Sequence, residues 1–252
     1  MCNNNRDMNM TDIVENWMSD DLDADAIGQA LQQKTRMVIP NFLRSDVADQ
    51  LYDCLDREVP WEAAYRQGET DKSVPLAELG RLSPREQQQL VNGIVAQAQG
   101  EYQFFYNRYP IVEAYIAGKN PHLILNRFIE FWNSAYILDF IRKITGDTSI
   151  RKGEGQATAY LPGHFLMYHS DQGKDTRTDD RRYAFVLNLT KDWQSHWGGL
   201  LQFVEAGRVT ETFVPGYNNL SIFKVPQGHQ VSYVTPFATR PRYGITGWFR
   251  AD

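Results

Sequence analysis

The rhythm of apolar and polar positions changes near residue 150. Before it, apolar side chains recur three and four positions apart, the spacing of helices with one buried face. Ala26, Ile27, Ala30 and Leu31 predict a short helix over residues 25–34. Met37, Val38 and Ile39 predict a short strand, stopped by Pro40. Val47, Leu51, Cys54 and Leu55 predict a helix, with Ser45 followed by Asp46 offering an N-cap. Residues 62–80 read mostly as loop. Ser83 and Pro84 open a further helix with proline in its first turn. It carries Leu90, Ile94, Val95 and Ala98, and is expected to continue through the aromatic stretch 102–109 as far as Pro110. A last helical pattern covers residues 129–144 and ends at Gly146. After 150, short apolar or alternating runs lie between turn signals: 155–161, 164–170, 183–189, 199–205, 209–214, 219–225, 229–234 and 242–250. Eight such runs after a helical half predict an α+β fold, with helices packed on a β-sandwich or jelly roll.

The expected organisation is one domain over residues 1–252. Residues 1–24 are polar and acidic and are expected to be a flexible N-terminal segment. Residues 25–149 give mainly helical support, and residues 150–252 the β core. The helical half needs the sheet to cover its apolar faces.

Composition narrows the classes. Lys and Arg number 26 against 31 Asp and Glu, a net charge of −5. A general nucleic-acid surface needs a dense basic footprint, so no nucleic-acid partner is expected. Two cysteines, Cys2 and Cys54, are too few for a disulfide scaffold and fit a reducing compartment. The first ten residues contain no apolar h-region, and no apolar run is long enough for a span. The expectation is a cytoplasmic protein without a membrane partner.

The candidate chemistry lies in the β half. His169 and Asp171 stand two apart, and alternate residues of a strand point to the same side. Sixty residues later comes His229, then Arg242 on the last run. Two imidazoles and one carboxylate on one face of a metal leave open positions, as in non-haem Fe(II) oxygenases. Structural zinc usually closes its fourth position with another protein ligand. His122, His164 and His196 are not expected to be ligands. Arg242, Gly244, Thr246 and Trp248 share one strand face with small or amphipathic neighbours, so the guanidinium can enter a cavity. Its planar fork suits a cosubstrate carboxylate. Arg240 is the rival, although Pro241 after it favours a turn.

These segments also carry a resemblance. Residues 150–252 resemble the prolyl-hydroxylase branch of the 2-oxoglutarate- and Fe(II)-dependent dioxygenases, on YLPGHFLMYHSD, RRYAFVLNLTKDWQSHWGGLLQF, GHQVSYV and RYGITGWF. They are similar to both the oxygen-sensing prolyl hydroxylases and those acting on a ribosomal-protein proline. The resemblance of the first half is limited to the opening Ile-Pro-Asn-Phe-Leu strand, from Ile39, and the helix that goes with it. The resemblance implies a double-stranded β-helix (jelly roll) core and Fe(II) held by His169, Asp171 and His229. It implies 2-oxoglutarate and O2 as cosubstrates, with ascorbate a candidate reductant. Arg242 matches the residue that holds the far carboxylate of 2-oxoglutarate, and Tyr160 a tyrosine that assists it. Asn188 stands where relatives often place a cosubstrate-touching tyrosine, and Gly244 where many have serine. Thr246 and Trp248 match pocket-lining positions, and core packing is the competing reading for both.

The implied reaction is hydroxylation of a C–H bond, with release of succinate and CO2. A prolyl residue of a protein, translation-related proteins included, is the leading substrate. A free amino acid or other small metabolite is the alternative, and a non-catalytic metal-binding jelly roll the reading outside enzymes. The polar segment 172–182 reads as a substrate rim or as a solvated hairpin. The aromatics Tyr102, Phe104, Phe105, Tyr106 and Tyr109 read as core in preference to a substrate platform.

Overall fold

The computed structural model describes residues 15–172 and 180–252. In chain order the elements are α1 (Ala24–Lys34), β1 (Arg36–Ile39), α2 (Ser45–Arg57), β2 (Glu62–Gln67), β3 (Thr70–Pro75), α3 (Leu76–Leu79), α4 (Pro84–Ala98), β4 (Phe104–Tyr109), α5 (Ile111–Ile116), α6 (Ile124–Trp132) and α7 (Ala135–Thr145). The β half follows as β5 (Lys152–Tyr160), β6 (Phe165–His169), β7 (Arg181–Asn188), β8 (Leu201–Glu205), β9 (Arg208–Phe213), β10 (Asn219–Lys224), β11 (His229–Val231) and β12 (Arg242–Arg250). All eight expected β runs contain a strand.

The strands pair antiparallel in the order β1-β10-β7-β12-β5-β4-β6-β11-β8-β9. The ladder folds over on itself, because residues from both arms line one cavity. One arm is β1-β10-β7-β12-β5, the other β9-β8-β11-β6. β4 joins them: Asn107–Tyr109 pair with β5, while Phe104 and Phe105 pair with β6. This is the jelly roll expected from the second half.

Helices α1, α2, α5, α6 and α7 contribute to the core on the outer face of the first arm, while α4 packs through Ile94 against Tyr65 of β2 and Phe165 of β6. Trp132 is fully buried and packs against Phe42, Phe128, Phe185 and Phe249, so it ties α6 to β7 and β12. On β12, Tyr243, Ile245 and Phe249 enter this core, while Arg242, Thr246 and Trp248 face the cavity. The period of two thus separates scaffold from site along one strand.

Several boundaries differ from the sequence reading. Residues 62–75 form the β2–β3 hairpin, turned at Gly68 with φ +58°. Its β3 strand is mostly polar and exposed, and in β2 the buried Ala63, Ala64 and Tyr65 are consecutive, so the hairpin carries little hydrophobic alternation. The helix opened by Ser83, whose capping box with Glu86 is present, ends at Ala98, and the aromatic stretch is strand β4. Gly100 marks the break. The pattern over 129–144 divides at Asn133, whose side chain bonds Ile129 O and both main-chain polar groups of Gly153. A main-chain bond from Gly146, at φ +71°, closes α7 as expected. Ser45 lies inside α2; the cap position is Arg44, without a side-chain cap bond. Cys2 and most of the expected flexible segment lie outside the described residues. No described helix is long and apolar enough to cross a membrane.

Candidate active site

β6 and β11 lie side by side with His169 directly opposite His229, so residues sixty apart become neighbours through strand register. Their rings are 4.2 Å apart. Asp171 completes the group: Oδ1 is 3.3 Å from His169 Nε2 and Oδ2 is 3.4 Å from His229 Nε2. One ligand atom from each of the three residues falls within 4.8 Å of the others. Strand alternation is not what aims Asp171. β6 ends at His169, and Asp171 has φ +58°, the left-handed region that aspartate tolerates better than most residues. Arg181 Nη1 donates to the Asp171 carbonyl at 2.8 Å, and its guanidinium lies 4.1 Å above the Trp248 ring.

The tautomers suit metal binding. His169 Nδ1 donates to Met167 O at 2.9 Å and His229 Nδ1 to Gln227 O at 2.8 Å. Each bond fixes a hydrogen on Nδ1, so Nε2, which faces Asp171, is the atom that would take a metal. Burial pushes the Asp171 carboxyl up, but the His169 hydrogen bond and the two imidazoles outweigh it and hold it below the ordinary carboxylate range. Burial and the adjacent His169 push the His229 imidazole down, towards its neutral form. Two imidazoles that present Nε2 beside a carboxylate form the donor set a divalent cation requires, so these residues fit Fe(II). The Trp248 indole N–H approaches Asp171 and helps lower its carboxyl, although its geometry falls short of a hydrogen bond.

Across the cavity stands a buried cation. Arg242 is 4% exposed. Its polar contact is Nη2 to Asn188 Oδ1 at 3.4 Å, its Nε has no partner, and its guanidinium carbon sits 5.0 Å from the Tyr160 ring. Among the described residues it makes no ion pair. A buried charge without a countercharge costs on the order of several kcal/mol, so the position is shaped for an anion. Arg242 and Tyr160 are direct cross-strand partners on β12 and β5. Burial raises the Tyr160 phenol well above its ordinary value, so it remains a hydrogen-bond donor. Arg240, the rival, is exposed and paired with Asp192.

The remaining expected residues divide. Thr246 and Trp248 line the cavity. Asn188 does not: its amide nitrogen bonds Val186 O, Asn219 O and Ser221 Oγ, and its oxygen faces Arg242. It orients the guanidinium and leaves the cavity surface to others. His164 is buried against Phe105, and His196 stacks on the exposed Phe237. Of the 172–182 rim, Gln172 and Arg181 line the cavity; residues 173–179 lie outside the described residues.

The cavity also has a wall that sequence reasoning missed. Tyr102, Phe104 and Tyr106 line it, with Asp71, Lys72 and Ser73 from the β2–β3 hairpin. Tyr106 stacks on Tyr160 at 5.1 Å and accepts a bond from Gln156. The alternation of Phe104, Tyr106 and Arg108 was the available signal, hidden by assigning that stretch to a helix. The cavity volume is about 970 Å³.

A jelly roll with two imidazoles and a carboxylate at one side, and an unpaired buried guanidinium at the other, defines a non-haem metal site built for an acidic cosubstrate. Residues 155–250 match the family model of the 2OG-Fe(II) oxygenase superfamily. The likeness to that superfamily covers the β half of the chain, and the relatives and solved structures similar to the chain include prolyl hydroxylases. Prolyl 3-hydroxylase OGFOD1 of Xenopus laevis is 32% identical over 92 residues, 33% of this chain and 17% of that protein. Its Mus musculus counterpart is 27% identical over 139 residues, 52% of this chain and 24% of that protein. The match thus spans a quarter or less of these relatives' length. Among solved structures, a prolyl-4-hydroxylase of Pseudomonas putida superposes with TM-score 0.57 at 20% identity, covering 90% of this chain and 98% of that one. A Trichoplax adhaerens prolyl hydroxylase, in complex with a hypoxia inducible factor peptide fragment, gives 0.57 at 16% identity, covering 90% and 89%. These likenesses are of fold.

Proposed function

We propose that the protein is an Fe(II)- and 2-oxoglutarate-dependent dioxygenase that hydroxylates a prolyl residue of a protein. The observation that carries the reading is Arg242, a buried guanidinium without a countercharge in the same cavity as His169, Asp171 and His229. When bound, Fe(II) with 2-oxoglutarate and O2 supplies the oxidising power to insert oxygen into a C–H bond, releasing succinate and CO2.

The chain supplies binding and orientation. His169 and His229, their Nδ1 hydrogens fixed by the Met167 and Gln227 carbonyls, would hold the metal through Nε2, with the Asp171 carboxylate as the third ligand. Arg242 pairs with the far carboxylate of the cosubstrate, as its planar fork does best. The Tyr160 phenol, held protonated by burial, donates to the same group. Asn188 keeps the guanidinium turned towards it. Thr246 and Trp248 form the wall beside the metal. Ascorbate fits as the reductant that keeps the metal ferrous.

Cavity size favours a polypeptide over a free amino acid. About 970 Å³ is at the upper end of what a small-molecule site needs, roughly 300–1,000 Å³. The wall of Tyr102, Phe104 and Tyr106 offers apolar faces beside the metal residues, suited to a pyrrolidine ring. Translation-related proteins are among the candidate substrates. The test is incubation with Fe(II), 2-oxoglutarate, ascorbate and a proteome-derived peptide mixture, with free proline in parallel. The expected result is succinate release coupled to a +16 Da shift on proline-containing peptides. Oxidation of free small molecules alone would overturn the protein-substrate reading. Absence of any succinate with reconstituted iron would leave a metal-binding module.

A further inference from the structure

The carbonyl that fixes the His229 tautomer belongs to Gln227, and Gln227 is itself held from the far end of the chain. Arg36 Nη1 donates to Gln227 Oε1 at 2.9 Å. Gln227 Nε2 donates to Thr35 O at 3.1 Å and to Thr35 Oγ1 at 3.2 Å. The three bonds attach the β10–β11 connection to the junction of α1 and β1. Arg36 is in turn anchored on the β8–β9 hairpin, with Nε on Glu211 at 2.5 Å and Nη1 on Glu205 at 3.1 Å. Its guanidinium lies 4.6 Å above the Phe203 ring. Phe203 is the cross-strand partner of His229, and Phe223, the partner of Arg36, packs 4.7 Å from the His229 ring. Apart from His169 and Asp171, the groups set around this imidazole by Gln227, Phe203 and Phe223 are therefore ones that Arg36 touches or pairs with.

Resting on the reading of His229 as a metal ligand, we infer that Arg36 and Gln227 are positioning residues for that ligand. They touch neither metal nor substrate. They hold the Gln227 carbonyl where it keeps the His229 hydrogen on Nδ1 and Nε2 turned to the cavity. Charge reinforces the arrangement. Without Arg36, Glu205 and Glu211 face each other across the hairpin without their shared cation, and the hairpin carrying Phe203 loses its tie to β1. The helical half thus contributes to the metal site through an arginine more than 190 residues from the imidazole it steadies.

Arg36→Met keeps an unbranched aliphatic side chain and removes the guanidinium, both its fork of donors and its place over Phe203. Gln227→Leu keeps the volume and removes the side-chain bonds. Mn(II) affinity, measured by titration without cosubstrate turnover, is expected to fall about 10-fold or more in each, the lower range for changes behind a metal-binding histidine. The double variant should be no weaker than the worse single one, because the two act as one unit. The absorption spectrum of the Co(II)-loaded protein should shift in both, reporting altered ligand geometry. Arg142→Met is the folding control. It breaks a bond from α7 to Ile150 O without touching the His229 surroundings, so it should lower thermal stability and leave Mn(II) affinity unchanged. His229→Ala separates the two levels of the argument. If it binds Mn(II) as the wild type does, the metal-site reading fails and the inference falls with it. If it loses binding while Arg36→Met and Gln227→Leu keep wild-type affinity and spectrum, the inference alone is overturned.

Discussion

Asn188 Oδ1 stands 3.4 Å from Arg242 Nη2, while the Asn188 amide nitrogen points the other way, to Ser221 Oγ at 3.2 Å and two main-chain carbonyls. The amide has no freedom to flip, since its nitrogen faces only acceptors. It therefore presents an oxygen, and no charge, to a buried cation. Asn188→Asp would supply the missing countercharge from within the chain and occupy the guanidinium. We predict that this variant binds 2-oxoglutarate at least 10-fold more weakly, about 1.4 kcal/mol. Equilibrium titration of the Mn(II)-loaded protein checks it, and unchanged affinity would show that Asn188 does not act on Arg242.

Arg242→Ala removes the buried cation itself. The expected loss in 2-oxoglutarate affinity is about 2–5 kcal/mol, typical of a desolvated, hydrogen-bonded charge pair. Arg240→Ala should leave affinity unchanged, because Arg240 is exposed and paired with Asp192. The same titration distinguishes the two arginines, and the reverse outcome would exchange their roles.

Metal binding should also register as stability. Mn(II) at a hundred times its Kd should stabilise the wild type by about 2.7 kcal/mol. For a chain of this size that is a rise of roughly 5–10 °C in Tm. His169→Ala and Asp171→Ala should abolish both the rise and the iron-dependent turnover. Calorimetry with and without metal gives the answer. A variant that retains the full rise would remove its residue from the ligand set.

His164 gives a pH dependence independent of the metal residues. It is 6% exposed, with Nδ1 3.4 Å from Ala159 O and its ring 4.4 Å from Phe105. Burial pushes its imidazole down to about 4, against 6.5 in the unfolded chain. Between those values the unfolded chain binds a proton that the folded chain refuses, so stability falls as pH drops. The contribution is complete above pH 6.5 and is lost towards pH 4, at most about 3 kcal/mol. Urea unfolding at pH 7.5 and 4.5 should show a smaller difference in His164→Phe than in the wild type. An undiminished difference would place the pH sensitivity elsewhere.

Much of the site was legible because it follows strand register. The eight β runs, the pairing of a distant histidine with His169, and the cavity-facing parity of Arg242, Thr246 and Trp248 all follow from a period of two. Asp171 was found for an incomplete reason. Alternation suggested its direction, whereas a left-handed turn held by Arg181 produces it. What stayed hidden was structure without hydrophobic contrast. The β2–β3 hairpin buries only the consecutive Ala63, Ala64 and Tyr65 in an otherwise polar stretch, and aromatics on both faces of β4 blur the alternation of Phe104, Tyr106 and Arg108. Asn188 was assigned to the cosubstrate by position. Its role depends on which neighbours its amide nitrogen meets, and two of the three come from β10. The Arg36–Gln227 link joins segments too far apart for any local pattern to suggest.

Strand β4 has a consequence for how this protein can be handled. It sutures β5 to β6 at the seam between the arms, and it comes from outside the segment that matches the oxygenase family. A fragment trimmed to that segment would bare the backbone of β5 and β6 along two raw edges, the kind of surface that recruits strands from other molecules. Attempts to shorten the protein to its conspicuous motif region would yield aggregates, because the suture was cut away with the half that looks dispensable.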